Sequence, residues 1–251
     1  MKDFITKFKI PTLLGLAVIL IGIMGGVALT LNQQGFLTKA SPDLTPQNIT
    51  LSNISDTSIT ISYQTSAETT SFITFGLDNP GEQTTQDDRD AKAPQPHILH
   101  YITLKNLFPK TTYQYKIISG KHTSEIQKFT TSAPLNQQTG FRPIIGSVLD
   151  GNKPVGEGIV YLSIADAQTL SARVKAAGNF LIPISQIRKA DLSDAFPLEE
   201  AALIKLTVIS EKNNASATIR FKSSGDTLPP IQLGQNVDLE IETTPKPTSP
   251  S

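Results

Sequence analysis

The chain has 251 residues, with 22 Lys and Arg against 22 Asp and Glu, so its formal net charge is zero and it has no global field with which to hold nucleic acid or a polyanion. It has no cysteine, which excludes disulfides, thiolate zinc sites and cysteine nucleophiles; three histidines leave little material for a metal centre. The length allows two modest domains, and a hydrophobic content of 38%, below the globular average, predicts polar linkers or tails between them.

Residues 10–31, IPTLLGLAVILIGIMGGVALTL, contain no charge. As a helix rising about 1.5 Å per residue they span about 33 Å, which matches a hydrocarbon core of about 30 Å. Pro11 suits a first helical turn, and Gly15, Gly22, Gly25 and Gly26 are tolerated in lipid. Lys2, Lys7 and Lys9 precede the run against Asp3 alone, and residues 32–38 after it carry no charge. The positive-inside rule therefore keeps residues 1–9 cytoplasmic and sends the C-terminal part across a cell membrane. A cleaved secretory signal is the alternative; against it, the apolar run exceeds a usual h-region and Thr38-Lys39-Ala40 is a poor cleavage site. In both cases residues 32–251 are expected to be extracytoplasmic.

Residues 32–46 are polar with two prolines and read as a linker. Beyond them the apolar period becomes two. Ile59, Ile61 and Tyr63 alternate with Thr60 and Ser62, and Tyr113, Tyr115 and Ile117 alternate with Gln114 and Lys116. Each such strand is expected to bury one face and wet the other. Turn residues separate the strands at 53–57, 78–81, 108–110 and Gly120. Short strands punctuated in this way predict a sandwich.

The stretches SITISYQT (58–65), TSFITFGL (70–77) and HYITLKNLFPKTTYQYKI (100–117) resemble a fibronectin type III domain, in particular the non-catalytic N-terminal module of purple acid phosphatases. The resemblance covers about residues 47–132. Leu107, Pro109 and Tyr113 are similar to the family's tyrosine corner, which implies a structural role in which the Tyr113 hydroxyl bonds backbone a few residues upstream. Tyr63 stands where many members carry a core tryptophan, and the chain has none.

A polar linker follows at 133–140, and then the pattern restarts. Residues 144–148, 150–154 and 158–162, with the segment Gly178-Asn179-Phe180-Leu181-Ile182-Pro183, resemble a carboxypeptidase-regulatory-like sandwich over residues 141–242. Residues 186–202 do not alternate and read as a crossover loop with a helical turn. Residues 243–251 form a Pro/Thr/Ser tail expected to be extended. The expected fold class is all-β: two tandem Ig-like or fibronectin-like β-sandwiches behind one N-terminal transmembrane helix.

The phosphatase resemblance prompts a search for a catalytic domain, and the metal-ligand blocks such a domain needs are absent from the sequence. His97, His100 and His122 all fall in the first sandwich, and His97 and His100, three apart where a loop runs into a strand, would point to opposite faces if both were extended. Asp87, Asp88, Arg89 and Asp90 cluster carboxylates that could in principle hold calcium, but no tight glycine turn flanks them and Arg89 neutralises them, so a solvated loop is expected. No nucleophile elbow, phosphate loop or dinucleotide fingerprint occurs. Three sequons begin at Asn48, Asn53 and Asn214.

The reading is therefore of a non-enzyme with no catalytic residues, cofactor or metal. Its partners are the lipid bilayer, through residues 10–31, and an unknown protein or surface polymer outside the membrane, with no nucleic acid. The long polar loop at 79–95, containing Asp87, Asp88, Arg89 and Asp90, is the candidate contact surface. The alternatives are an accessory module for an extracellular hydrolase acting in trans, a secreted binding protein, and, ranked last for want of tryptophan, a carbohydrate-binding module.

Overall fold

The structure is a computed structural model that describes residues 43–90, 92–135, 142–222 and 227–239. The expected membrane helix at 10–31, the basic N-terminus, the linker up to 42 and the tail at 243–251 lie outside the described residues. Within 43–251 the chain forms one compact unit built from two β-sandwiches.

The first sandwich contains β1 (Gln47–Ser52), β2 (Ile59–Thr69), β3 (Ser71–Gly76), β4 (Gln83–Gln86), β5 (His97–Leu104), β6 (Thr112–Ser119), β7 (His122–Thr123) and β8 (Gln127–Thr130). One sheet has the order β1-β2-β5; the other runs β4-β3-β6, with β7 and β8 both paired to β6. Alternation decides what lies between them. Ile59, Ile61, Tyr63, Ile102 and Leu104 from the first sheet meet Ile73, Phe75, Tyr115 and Ile117 from the second. Tyr113 joins them, stacked on Phe129 at 5.4 Å between ring centroids. Its hydroxyl accepts the backbone N–H of Phe108 at 2.9 Å, which closes the corner before β6. Lys110 inside that turn has φ +51°.

The second sandwich contains β9 (Pro143–Asp150), β10 (Lys153–Pro154), β11 (Gly158–Ser163), β12 (Leu170–Val174), β13 (Asn179–Pro183), a single 3-10 turn (Ile184–Gln186), β14 (Leu203–Ile209), β15 (Asn214–Arg220), β16 (Ile231–Gln232) and β17 (Asn236–Asp238). β10, β9 and β13 form one sheet, with β16 lying parallel to β9; the other has the order β12-β11-β14-β15-β17. Val160, Leu162, Leu206, Val208 and Ile204 face Val148, Phe180 and Ile182 across its core. The loop after the 3-10 turn is held by antiparallel bridges Ala167↔Lys189 and Arg188↔Ala195 rather than by further strand pairing.

One expectation is corrected here. The outer face of the β1-β2-β5 sheet is not wet: Thr60, Ser62, Leu99 and Tyr101 are buried along with the inward-facing residues. The second sandwich covers it. Leu99 and Tyr101 pack with Ile159, Tyr161 and Ile209 in a third apolar cluster that belongs to neither core. The two modules thus lie face against face, with strand faces of β2 and β5 opposed to those of β11, β12 and β14.

Candidate functional site: the seam between the sandwiches

The seam combines an apolar centre with a dense hydrogen-bonded margin. Asn53 sits in the turn after β1 at φ +51°, a left-handed conformation that asparagine tolerates better than most side chains. Its side chain thereby reaches β12. The Asn53 Oδ1 accepts the backbone N–H of Ser171 at 2.8 Å, while Nδ2 lies 3.1 Å from the Ser171 carbonyl oxygen. The Asn53 backbone N–H donates to Thr169 O at 3.1 Å. Around this pair, Ser52 Oγ and Ser171 Oγ are 2.7 Å apart, Tyr101 Oη and Ser171 Oγ 3.0 Å, and Ser62 Oγ and Tyr161 Oη 2.8 Å. Polar groups buried at a junction are tolerated when partnered in this way. At one end, buried Arg188 donates to Ala133 O at 2.7 Å and lies 3.6 Å from Asp56, tying the second sandwich to the end of the first.

Residues 87–90 require a second correction: they are not a solvated loop. Asp87 and Asp90 are each 2% exposed. β5 is an edge strand, and the segment seals it. Tyr101 N donates to Asp87 Oδ2 at 2.8 Å, Thr103 N to Asp88 Oδ1 at 2.9 Å, and Asp88 N to Tyr101 O at 3.0 Å. Arg89 donates to Leu99 O, to Asp87 through Nε at 2.7 Å and Nη2 at 2.8 Å, and across the seam to Glu157 at 3.0 Å. Burial alone would raise the Asp87 pKa, but Arg89 and the backbone donors outweigh it and hold the carboxyl below its ordinary range. Of these residues Arg89 meets the chain's own second module, through Glu157, while Asp88 is exposed.

The histidines also depart from expectation. The β2–β5 register shifts between the pairs Gln64↔Leu99 and Thr69↔His97. Across this irregularity the His97 and His100 rings meet edge to face at 6.3 Å rather than on opposite faces. His97 Nε2 lies 2.9 Å from Asp90 Oδ1. His100 is fully buried and stacked on Tyr63 at 4.8 Å, and burial holds its pKa down at about 4. Tyr63, in the expected tryptophan position, is a core residue whose hydroxyl bonds Ser71; burial drives its pKa up. Among the described residues no group of three His, Asp or Glu side chains is placed to hold a metal ion.

Among the described residues, cavities open along the seam, three of them as follows. Two share His97 and Glu157 and are bordered by charge, one of about 460 Å³ with Arg89, Arg173 and Lys175 and one of about 570 Å³ with Glu68, Asp150 and Lys212. The third, of about 330 Å³, lies between β1–β2 and β11–β14 and has no charged residue in its lining. Ser171, Tyr101 and Tyr161 were not singled out by sequence reasoning, and Asn53 was noted only as a turn residue and the start of a sequon. The signal was present: β5 and β11 carry no Asp, Glu, Lys or Arg, and β2 carries none before Glu68 near its end, although a wet strand face ordinarily does.

The fold and its seam define a tandem β-sandwich protein. Residues 46–131, about a third of the chain, match the family described as purple acid phosphatase, N-terminal domain, in agreement with the fibronectin-like reading of the first sandwich. Among solved structures, a computationally redesigned β-sandwich protein is 28% identical over 35% of this chain and 94% of its own, with a TM-score of 0.28. A two-domain fibronectin type III segment of chicken tenascin is 12% identical over 70% of this chain and 99% of its own (TM-score 0.25). The FN1–FN3 domains of chicken CNTN1 are 15% identical over 70% and 64% (TM-score 0.27). No curated protein sequence matches the chain.

Proposed function

We propose that this is a membrane-anchored extracytoplasmic binding or scaffold protein without catalysis, displaying its two sandwiches as one rigid body. The observation that carries the reading is the seam. Burying Thr60, Ser62, Leu99 and Tyr101 under the second module turns two domains into a single unit, as suits a surface that must present fixed geometry. The match of residues 46–131 to a phosphatase family's N-terminal domain supports a non-catalytic module. The charge-free run at 10–31 with basic residues before it supports the anchor and its orientation. The second sandwich is read as carboxypeptidase-regulatory-like on its Gly146 and Phe180 segments.

The same family match favours a second reading, in which the chain is the anchoring accessory of an extracellular hydrolase bound in trans. One experiment tests the common part. A tag after Ser251 is exposed to protease on intact cells or spheroplasts, and the N-terminus is measured by mass after detergent extraction. Shaving of the tag with Met1 retained is expected. A protected tag overturns the reading, and a mature chain starting near residue 41 in the medium replaces it with a secreted binding protein.

A further inference from the structure

We infer that the uncharged cavity on the seam is a binding site for a neutral saccharide; the inference rests on the reading of an extracytoplasmic binding protein and names the ligand class of that protein. Its floor is apolar: Leu99 and Ile159 are buried, with Ile209 and the ring of Tyr161 half-buried beside them. Its margin is amide and hydroxyl. Asn48 from β1, Gln64 from β2 and Asn214 from β15 border it, and among the described residues none of these three side-chain amides has a hydrogen-bond partner. Thr207 and Ser163 add hydroxyls that are likewise free among the described residues.

Each carboxamide offers both donors and an acceptor. A sugar hydroxyl is also donor and acceptor at once, and a pyranose ring has an apolar C–H face as well as a hydroxyl edge. An apolar floor ringed by unspent amides matches both surfaces. The volume of about 330 Å³ falls within the roughly 300–1,000 Å³ of small-ligand sites. Charge separates this cavity from its neighbours: the other two seam cavities are bordered by Arg, Lys, Asp and Glu, whereas an ionic ligand would find no counter-charge here. Both modules supply its walls, so the site exists only when the seam is closed.

An extended peptide is the competing occupant. It would add to an open, regular strand edge. The β1 edge beside the cavity is not regular, because its register with β2 shifts between Gln47 and Thr50 and Asn48 has φ +54°. A bulge of this kind blunts strand addition.

The test uses the full chain in lipid nanodiscs, with saturation-transfer difference NMR against uncharged hexasaccharides of glucose (α-1,4, β-1,4 and β-1,3 linked), mannose and N-acetylglucosamine, and against a capped, uncharged Ser/Thr/Gly peptide. Transfer to at least one saccharide is expected. Affinity should fall at least tenfold in the double variant Gln64→Ala, Asn214→Ala and stay within twofold in Arg173→Ala, which alters a charged cavity of the same seam. Unfolding midpoints of both variants should match the parent. Transfer to no saccharide, transfer to the peptide alone, or saccharide binding untouched by the double variant each overturns the inference. If the Ser251 tag is accessible from outside and no saccharide binds, this inference fails while the displayed-scaffold reading stands; a protected tag overturns that reading whatever the NMR reports.

Discussion

Asn53 and Ser171 bond as two strand residues would, although one partner is a side chain. The Asn53 carboxamide accepts from Ser171 N at 2.8 Å and donates toward Ser171 O at 3.1 Å, so it extends the β12 edge across the module boundary. A turn residue of one sandwich is thereby built into the sheet of the other.

Replacing Asn53 with alanine removes both bonds and puts at φ +51° a residue that tolerates the left-handed conformation less well than asparagine. Leaving the buried Ser171 amide without its partner and straining the turn should together cost about 2–4 kcal/mol. The consequence should exceed the number, because the seam is what couples the modules. Chemical denaturation of the parent chain should show one transition, and Asn53→Ala should split it into two as the sandwiches unfold separately. A single unshifted transition would mean that the apolar cluster of Leu99, Tyr101 and Ile159 couples the modules without it.

Much of this architecture was legible in the sequence, and the part that was not has a physical reason. The period of two in residues 59–63 and 113–117 marks real strands, and the Leu107, Pro109 and Tyr113 pattern coincides with a corner closed by the Tyr113 hydroxyl. Alternation alone, however, does not say what lies over the polar face. Thr60 and Ser62 are as compatible with water as with a hydrogen-bonded interface, and only the missing charges on β5, β11 and the first nine residues of β2 hinted at cover. Residues 87–90 misled for the converse reason. Four ionised side chains in a row ordinarily stay solvated, but these spend their charge on one another and on the β5 backbone, a long-range pairing invisible to local pattern.

That pairing makes Asp87 a structural keystone. Asp87→Ala would strip the Arg89 guanidinium of its bidentate partner and leave Tyr101 N unpaired, at a cost of about 3–5 kcal/mol by analogy with other broken buried pairs. It would also reopen the β5 edge to pairing with other chains. Lower thermal stability together with concentration-dependent light scattering is expected. Asp87→Ala remaining monomeric at high concentration would show that Asp88 and Arg89 suffice to block the edge.

The buried histidine predicts a pH dependence of definite sign. His100 has a pKa of about 4 in the folded chain because burial disfavours its charged form, against about 6.5 when unfolded. Between these values the unfolded chain binds the extra proton, so stability is complete above pH 6.5 and falls as pH drops toward 4. At 1.36 kcal/mol per unit the loss over that window approaches about 3 kcal/mol. His100→Phe keeps the stack on Tyr63 and forgoes only a 3.4 Å contact with Thr65, so urea midpoints for the variant should be flatter than the parent's from pH 6.5 to 4. Parallel curves would place the acid sensitivity elsewhere.

The second sandwich has its own local test, at the point where two of its recognisable segments meet. Gly146 in β9 is paired with Phe180 in β13, and the aromatic ring folds back over the glycine. A β-carbon at position 146 would come within 2.6 Å of Phe180 Cζ and 2.8 Å of Cε1. The glycine is therefore required by its neighbour's ring and not by its own backbone. Gly146→Ala should cost about 1–3 kcal/mol through overpacking. Shrinking the ring should relieve the clash, so Phe180→Leu in the Gly146→Ala background should be less destabilising than the two single effects added together, a non-additivity readable from a double-mutant cycle of denaturation midpoints. Strict additivity would mean that the strands move apart instead, and that the covering ring does not set the residue at position 146.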